Sequence, residues 1–186
     1  LAAPTRSGKG VGFVIPNLLS YPHSTVVLDL KLENFDITSG FRAKYGQKDY
    51  LFAPNAADYC THRWNALSYI RKDKFHRVSD IQIIAQDFYS TENADSNASY
   101  FLDNAQTLFL GCVLYLMDTP SLPLTLANVL KMTTPDDGTD FGEWIKKEVK
   151  ERKGKTTELS IECQNALMGF ASNSDNTRSS ILSTMT

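Results

Sequence analysis

The sequence predicts an α/β fold over residues 1–67 and an all-α domain over residues 68–186. Three observations support this division. A glycine-rich segment precedes an apolar helix, two short apolar runs flank a helical segment, and helical periodicity alone follows from about Ser68. A strand, a helix and a second strand within roughly 30 residues form a βαβ unit, the building block of parallel sheets. We therefore expect part of a sheet domain followed by a helical domain.

The glycine-rich segment is Ala3-Pro4-Thr5-Arg6-Ser7-Gly8-Lys9-Gly10. It approximates the phosphate-binding loop G-x-x-x-x-G-K-[ST], with Ala3 replacing the first glycine and Gly10 replacing the hydroxyl residue. In such a loop, backbone N–H groups surround the β-phosphate, and the next helix points the positive end of its dipole at it. The predicted nucleotide-binding residues are Pro4, Thr5, Arg6, Ser7, Gly8, Lys9, Gly10 and Val11. The plainer interpretation is a glycine-rich turn that merely starts a helix.

Lys9 is the predicted catalytic residue, because its ammonium group reaches the β- and γ-phosphates as a point charge. Arg6 either touches a phosphate or faces solvent. Gly10 offers no hydroxyl to Mg²⁺, so the ion would depend on the phosphates, water and an acidic residue elsewhere.

The elements of the first part follow from short apolar patterns. They are, in order, an apolar helix over 11–19, a buried parallel strand over 25–30, a helix from about 34 to 45 with Gly46 at its C-cap, and a strand over 49–53. Pro16 lies inside the first helix and predicts a kink or an early stop there.

The second part shows only helical spacing of its apolar residues. Helices are predicted over 75–88, 100–117, 124–132, 141–149, 159–170 and 178–185. The one over 100–117 is apolar nearly all round towards its C-terminal end, so we expect it to be central and buried. Asp140 and Glu143 resemble a capping box at the start of the fourth.

The composition excludes several classes of protein. Hydrophobic residues make up 42% and charged residues 22% of 186, which is ordinary for a globular protein. A net charge of −2 gives no global signature of a nucleic-acid binder. The longest apolar run, 108–117, is far shorter than the roughly 20 residues of a membrane span. Cys60, Cys112 and Cys163 lack metal-ligand spacing and favour reduced, mostly packed thiols, and no metal site is expected.

Three motifs then carry a resemblance to a known family. Residues 3–19 look like the Walker A region of TraG-like coupling proteins of type IV secretion systems, where the lack of Ser or Thr after the lysine is common. Asp29-Leu30-Lys31-Leu32-Glu33 is similar to the family's D-x-K-G-E segment, with Leu32 where glycine is usual. Phe52-Ala53-Pro54 and Trp64-Asn65-Ala66-Leu67 are similar to its F-x-P and x-N-P-L stretches, with Ala66 where proline is usual.

The resemblance implies a RecA-like P-loop ATPase that forms a homo-hexamer at the cytoplasmic face of a bacterial inner membrane, with an all-α domain inserted in the motor. The implied cofactors are ATP and Mg²⁺. Such a protein receives DNA–relaxase complexes or effector proteins and delivers them to the secretion channel, whose ATPases and inner-membrane components are further partners. The family's membrane anchor precedes the loop and so lies outside this chain.

The Walker B acids of such an ATPase are not found in this sequence, because no apolar strand ending in Asp-Glu follows the helical part. We therefore expect an internal fragment that binds ATP weakly and does not hydrolyse it. Asp29, Lys31 and Glu33 are possible near-nucleotide residues. In one interpretation, Asp29 and Glu33 form a Walker B-like pair. In the other, Asp29 caps the end of a strand near the nucleotide, and Lys31 and Glu33 belong to a loop or the start of a helix.

Three functions remain open from the sequence. The first is the ATPase motor, and the second is a helical module that recognises substrate or adaptor proteins without hydrolysis in this chain. The third is a DNA translocase of the FtsK/HerA type, which usually lacks the helical insert. The basic stretch 146–155 is either a substrate or DNA contact or a solvated helix end. Trp64 and Trp144 are expected in core or interface positions rather than stacked on bases.

Overall fold

The computed structural model describes residue 4, residues 7–135 and residues 138–185. Two compact units divide the chain, one ending at Trp64 and the other beginning at Asn65. The described helices are α1 Ile15–Ser20, α2 Glu33–Lys44, α3 Arg77–Phe88, α4 Ser96–Met117, α5 Leu126–Met132, α6 Phe141–Arg152, α7 Ile161–Ala171 and α8 Asp175–Met185. A π-helical turn, Gly10–Val14, leads into α1, and a 3₁₀ turn, Ala66–Tyr69, opens the second unit.

The predicted α/β fold with its RecA-like sheet is wrong for this structure, because the described residues form helices and no strand. The run 25–30 is not part of any ladder, and Val26 is 104% exposed. An apolar β-branched run becomes a strand only when another segment supplies partners for its N–H and C=O groups. Within the described ranges no segment does so for 25–30.

The second predicted strand, 49–53, fails because side chains take the place of a backbone ladder. The Leu51 N–H donates to Nδ1 of His62 at 3.1 Å, and the His62 N–H donates to the Leu51 carbonyl at 2.8 Å. The Ala53 N–H donates to Oγ1 of Thr61 at 2.8 Å. This segment is therefore held to residues 61–62 by this backbone bond and these two bonds to side chains, and the side chains occupy donors that a strand ladder would use.

The helix between the two runs is confirmed as α2. Its C-terminal end is closed by Gly46 at a φ of 82°, a left-handed conformation that glycine adopts without strain. The Gly46 N–H donates to the Ala43 carbonyl at 3.1 Å, and the Gln47 N–H donates to the Arg42 carbonyl at 3.0 Å. These bonds satisfy the last carbonyls of α2, as a glycine C-cap does.

All six predicted helices of the second part are confirmed as α3 to α8. Asp140 caps α6 as predicted, since its Oδ1 accepts the Glu143 N–H at 3.1 Å. The Glu143 carboxylate does not complete a capping box; it accepts from Nζ of Lys146 at 2.8 Å. As predicted, α4 is central, and its buried side chains extend from Ala105 to Leu116. They form one core with residues of α3 and of α5 to α8, so this unit has an apolar interior of its own.

Helices α4 and α7 approach closely at Gly111. The Cys163 thiol donates to the Gly111 carbonyl at 3.5 Å. A Cβ atom on Gly111 would lie 2.9 Å from Cδ2 of Leu167, which is closer than atoms pack. Burial raises the pKa of the Cys112 thiol to about 12. Cys112 and Cys163 are thus packed, protonated thiols as predicted, whereas Cys60 is exposed.

Asp118, at the C-terminal end of α4, joins three helices. Its Oδ1 accepts from Nη1 of Arg77 in α3 at 3.0 Å, and its Oδ2 accepts from the N–H and Oγ of Ser160, which precedes α7, at 2.9 and 2.6 Å. Arg77 and Asp118 are both largely buried. A buried ion pair with extra hydrogen bonds fixes how the helices meet.

In the described part of the chain, no helix combines the length and the apolar character that crossing a membrane requires.

Candidate functional site

The predicted phosphate-binding loop is described from Ser7 onwards, together with Pro4, while Thr5 and Arg6 lie outside the described residues. Gly8 has a φ of 77°, which requires glycine for an unstrained backbone. The Gly12 N–H donates to the Gly8 carbonyl at 2.8 Å and closes the first helical turn. The loop therefore turns sharply at Gly8 and enters a helix at once, as expected, whereas the parallel sheet that the motif also requires is not found among the described residues.

Helical winding changes directly after the loop. Gly10–Val14 is a π-helical turn, and α-helical winding begins at Ile15, next to Pro16. Pro16 has no N–H and cannot make a backbone hydrogen bond to the preceding turn. The change from π-helical to α-helical winding lies next to this missing bond. The early stop predicted at Pro16 does not occur, since α1 continues for four more residues to Ser20; the irregular winding lies just before the proline.

The predicted loop residues lie at the surface. Pro4, Ser7, Gly8, Lys9 and Val11 are exposed and Gly10 is partly buried. A Cβ atom built on Gly8, Gly10 or Gly12 would meet no heavy atom of the described residues within 4 Å. In the described part of the loop, the backbone at these three glycines is therefore not covered by other residues.

Asp29 lies at the start of α2, where its side chain acts as a cap. Its Oδ2 accepts the Phe35 N–H at 2.9 Å, and its carbonyl accepts the Leu32 N–H at 3.3 Å. Lys31 lies in the turn and Glu33 is the first residue of α2. The structure favours the second interpretation of this segment, in which Lys31 lies in a loop and Glu33 starts a helix, over a Walker B-like pair. Asp29 caps a helix rather than the end of a strand.

Leu32 explains why its motif position usually holds glycine. Its backbone has a φ of 60° and a ψ of 9°, the left-handed region that costs an L-residue with a Cβ atom about 1–2 kcal/mol. The Asp36 N–H donates to the Leu32 carbonyl at 2.9 Å, so the first turn of α2 depends on this conformation. The leucine therefore occupies a position built for glycine.

We expect Leu32→Gly to raise the free energy of unfolding of the first unit by about 0.5–1 kcal/mol, because it removes the left-handed penalty. Urea unfolding followed by Trp64 fluorescence in a Trp144→Phe background would measure this change. Leu32→Ala is the matched control, since it keeps the penalty and removes the same side-chain contacts. Equal stability of the glycine and alanine variants would contradict the expectation.

Arg42 was not predicted from the sequence, yet it holds α1 to α2. This residue is 8% exposed, and its Nη1 donates to the Leu18 carbonyl at 2.6 Å. Longer bonds run to the carbonyls of Tyr21 and His23 at 3.5 and 3.4 Å, and Nε lies 3.6 Å from Oδ1 of Asp49. A guanidinium at a helix C-terminus satisfies its last carbonyls and favours the dipole. A lone arginine among polar residues gives no sequence signal of this role.

Two other features singled out from the sequence are structural in part. In the stretch 146–155, Lys146 pairs with Glu143 at 2.8 Å, and Arg152 donates to Glu148, Thr119 and Tyr115 at 2.7–2.8 Å. Trp144 is half-buried and stacks on Phe141, with ring centroids 5.6 Å apart. Trp64, in contrast, is exposed and touches Phe52 edge-on.

Comparison with known proteins places the chain in a family. The family model for type IV secretory system conjugative DNA transfer matches residues 1–186, so the chain belongs to this family. Conjugal transfer protein TraG of Escherichia coli is 35% identical over 147 residues, which are 77% of this chain and 23% of that protein. Protein VirD4 of Rhizobium radiobacter is 32% identical over 125 residues, 66% of this chain and 18% of that protein.

These matches confirm the resemblance to TraG-like coupling proteins of type IV secretion systems. The chain spans less than a quarter of the length of either relative. The family assignment argues against the FtsK/HerA alternative. The family assignment alone does not identify a bound nucleotide, a metal ion or partner proteins of this chain.

Proposed function

We propose that this chain contributes the phosphate-binding loop of an ATP-driven motor that delivers substrates to a type IV secretion channel. The observation that carries the proposal is the sharp turn at Gly8, followed at once by a helix, in a member of the conjugative DNA transfer family. This geometry suits a phosphate, because backbone N–H groups and a helix N-terminus favour negative charge.

Within the proposed site, the loop from Pro4 to Val11 surrounds the phosphates, and Lys9 offsets their charge. ATP with Mg²⁺ is the proposed ligand, and phosphoryl transfer is the chemistry that it supplies. Gly10, at the motif position of the metal-binding hydroxyl, offers none, and among the described residues no three or more metal-binding side chains cluster. We propose that the metal-binding acid lies outside this chain, so the isolated chain does not hydrolyse ATP.

The proposed setting is that of the family resemblance. The parent protein forms a homo-hexamer at the cytoplasmic face of a bacterial inner membrane, held there by an anchor outside this chain. Its partners are the channel ATPases and inner-membrane components, and its cargo is a DNA–relaxase complex or an effector protein. The description of the matching family, which refers to conjugative DNA transfer, supports the DNA cargo more directly than the protein cargo.

ATP binding by the full-length protein tests the proposal. We expect Lys9→Ala to weaken the affinity for a fluorescent ATP analogue at least about tenfold, since hydrogen bonds to charged groups contribute roughly 1.5–3 kcal/mol. Lys44→Ala, an exposed lysine of α2, is the matched control and should bind like the unaltered protein. Equal affinities of the two variants, or no binding by the unaltered protein, would refute the proposed site.

A second candidate function is recognition of substrate or adaptor proteins by the helical unit. Its own core favours an independent module, and Phe75 and Ile161 expose large apolar surfaces, 91% and 72%. Recognition would survive Lys9→Ala, whereas delivery driven by ATP would not. Pull-down of substrate by the Lys9→Ala protein separates the two.

A further inference from the structure

Four aromatic rings form one exposed surface in the first unit. Two short segments contribute two rings each, Tyr50 and Phe52 from one segment and His62 and Trp64 from the other. The ring centroids of Tyr50 and His62 lie 5.3 Å apart, and those of Phe52 and Trp64 lie 6.2 Å apart. Both pairs meet edge to face, a favourable arrangement of aromatic rings. We call these four rings the aromatic patch.

The aromatic patch is open to solvent and is not part of a core. Tyr50 is 73% exposed, Phe52 and Trp64 are each 60% exposed, and His62 is exposed as well. Large apolar side chains that lie together at a surface mark a site of interaction, whereas a single exposed one has no such meaning. The patch therefore calls for a ligand that covers aromatic rings.

Hydrogen bonds hold the two segments of the aromatic patch against each other. The His62 N–H donates to the Leu51 carbonyl at 2.8 Å, and the Leu51 N–H donates to Nδ1 of His62 at 3.1 Å. The Ala53 N–H donates to Oγ1 of Thr61 at 2.8 Å. These bonds lie between the two ring pairs along the chain, so they fix the rings before any ligand arrives. A surface that is already ordered loses little entropy on binding.

The spacing of the rings suits unpaired bases. Within each segment the two aromatic residues are two positions apart, as Tyr50 and Phe52 are, and neither segment is helical. On an extended chain such side chains share a face and lie roughly 6.5 Å apart. Neighbouring bases of a duplex lie only about 3.4 Å apart along one strand. Bases on successive rings must therefore be separated from each other, which a single strand allows and a duplex does not.

Two cations flank the aromatic patch. Lys48 precedes Tyr50 by two positions, and Arg63 lies between the two aromatic residues of the second segment. Both side chains are exposed, and in the described part of the chain neither forms an ion pair. Exposed lysine and arginine beside stacking rings are the combination that binds the phosphates and bases of a single strand.

The acids of the same stretch are already engaged. Residues 48–64 contain two aspartates, Asp49 and Asp58. Oδ1 of Asp49 lies 3.6 Å from Nε of Arg42, and Oδ1 of Asp58 accepts the Cys60 N–H at 3.0 Å. The charge left around the rings is therefore positive. This favours a polyanion with flat bases over an apolar protein surface.

We propose that the aromatic patch binds single-stranded nucleic acid by stacking its bases on the rings. Tyr50, Phe52 and Trp64 provide the stacking surfaces, and Lys48 and Arg63 contact the phosphates. This role for Trp64 differs from the core or interface position that the sequence predicts. The proposal rests on the DNA cargo of the proposed function and does not involve the nucleotide site.

The test uses the full-length protein without nucleotide and a fluorescein-labelled oligothymidine, with fluorescence anisotropy as the readout. We expect Trp64→Ala to weaken binding about tenfold, since each stacked base contributes strongly to affinity. Trp64→Phe keeps an aromatic ring and should bind within about threefold of the unaltered protein. Phe75→Ala is the matched control, an exposed phenylalanine of the other unit, and should bind within about twofold.

A strand of the same length that lacks bases separates stacking from charge attraction. The unaltered protein should bind this abasic strand more weakly than oligothymidine, and Trp64→Ala should bind it as well as the unaltered protein does. The tenfold difference on oligothymidine should persist at high salt, because added ions screen charges and leave stacking intact.

Equal binding of oligothymidine by Trp64→Ala and the unaltered protein would overturn the proposal. Equal losses for Trp64→Ala and Trp64→Phe, or equal losses on the abasic strand, would assign Trp64 a structural role instead. Loss of self-association by Trp64→Ala with unchanged DNA affinity would assign the aromatic patch to a second copy of the chain. Failure of the unaltered protein to bind either strand would refute the DNA cargo as well, whereas ATP binding by the Lys9→Ala protein is judged separately.

Discussion

Replacing Asp118 by alanine is expected to lower the free energy of unfolding of the helical unit by about 3–5 kcal/mol, because it removes the closer of two carboxylates from the buried charge of Arg77 and leaves only Glu162, whose Oε2 lies 3.9 Å from Nη2 of Arg77. The same change also removes the acceptor of the Ser160 N–H and hydroxyl. Few single changes in the described structure remove bonds between so many elements, since Asp118 connects α3, α4 and the start of α7.

Urea unfolding followed by Trp144 fluorescence in a Trp64→Phe background measures the effect on this unit alone. Asp87→Ala is the matched control, an exposed acid of the neighbouring helix α3 whose carboxylate has no bond in the described part of the chain. Its stability should stay within about 0.5 kcal/mol of the unaltered protein. A loss below about 1 kcal/mol for Asp118→Ala would show that water or a rearranged side chain replaces the carboxylate.

The second large effect is expected at Gly111, where α4 touches α7. Gly111→Val should lower the free energy of unfolding by about 2–3 kcal/mol, because its Cβ atom alone would lie 2.9 Å from Cδ2 of Leu167 and 3.1 Å from Cβ of Ala166. The surrounding core is closely packed, so the two helices would have to move apart.

A second helical glycine provides the control. A Cβ atom at Gly169, in α7, would meet no heavy atom within 4 Å, so Gly169→Ala should raise stability by about 0.5–1 kcal/mol through helix propensity. Opposite signs for the two changes, measured by the same urea unfolding, would establish the close contact. A stabilised Gly111→Val protein would contradict the described packing of α4 on α7.

Local patterns in the sequence were sufficient to predict the helical unit. The apolar spacing of α3 to α8 and the cap at Asp140 depend on residues a few positions apart, and such signals are complete within a short segment. The start of α4 was placed too late, at Tyr100 instead of Ser96, because the polar first turn shows no apolar periodicity. Asp95, which caps that turn, was the available signal.

The strands could not be predicted in the same way. A strand at 25–30 depends on partners elsewhere in the chain, and neither the run itself nor its hydrophobicity supplies them. Similarly, the role of Arg42 depends on carbonyls more than 18 positions away, which no local pattern records. At the predicted loop, the turn at Gly8 followed from the motif, whereas the π-helical turn after it did not.

Helix α2 lies between two parts of the first unit, the turn that contains Asp29 and the C-terminal end of α1. Asp29 and Leu32 fix the N-terminal end of α2. Near its C-terminal end, Arg42 donates to the Leu18 carbonyl of α1, the helix that follows Lys9. Twelve helical residues span about 18 Å and bend little. A ligand that displaced the turn at Asp29 would therefore displace α2, and the Arg42–Leu18 bond would pass this movement to α1 and the backbone after Lys9. In the first unit, a conformational change in the segment 29–33 is thus coupled through α2 to the loop that contains Lys9.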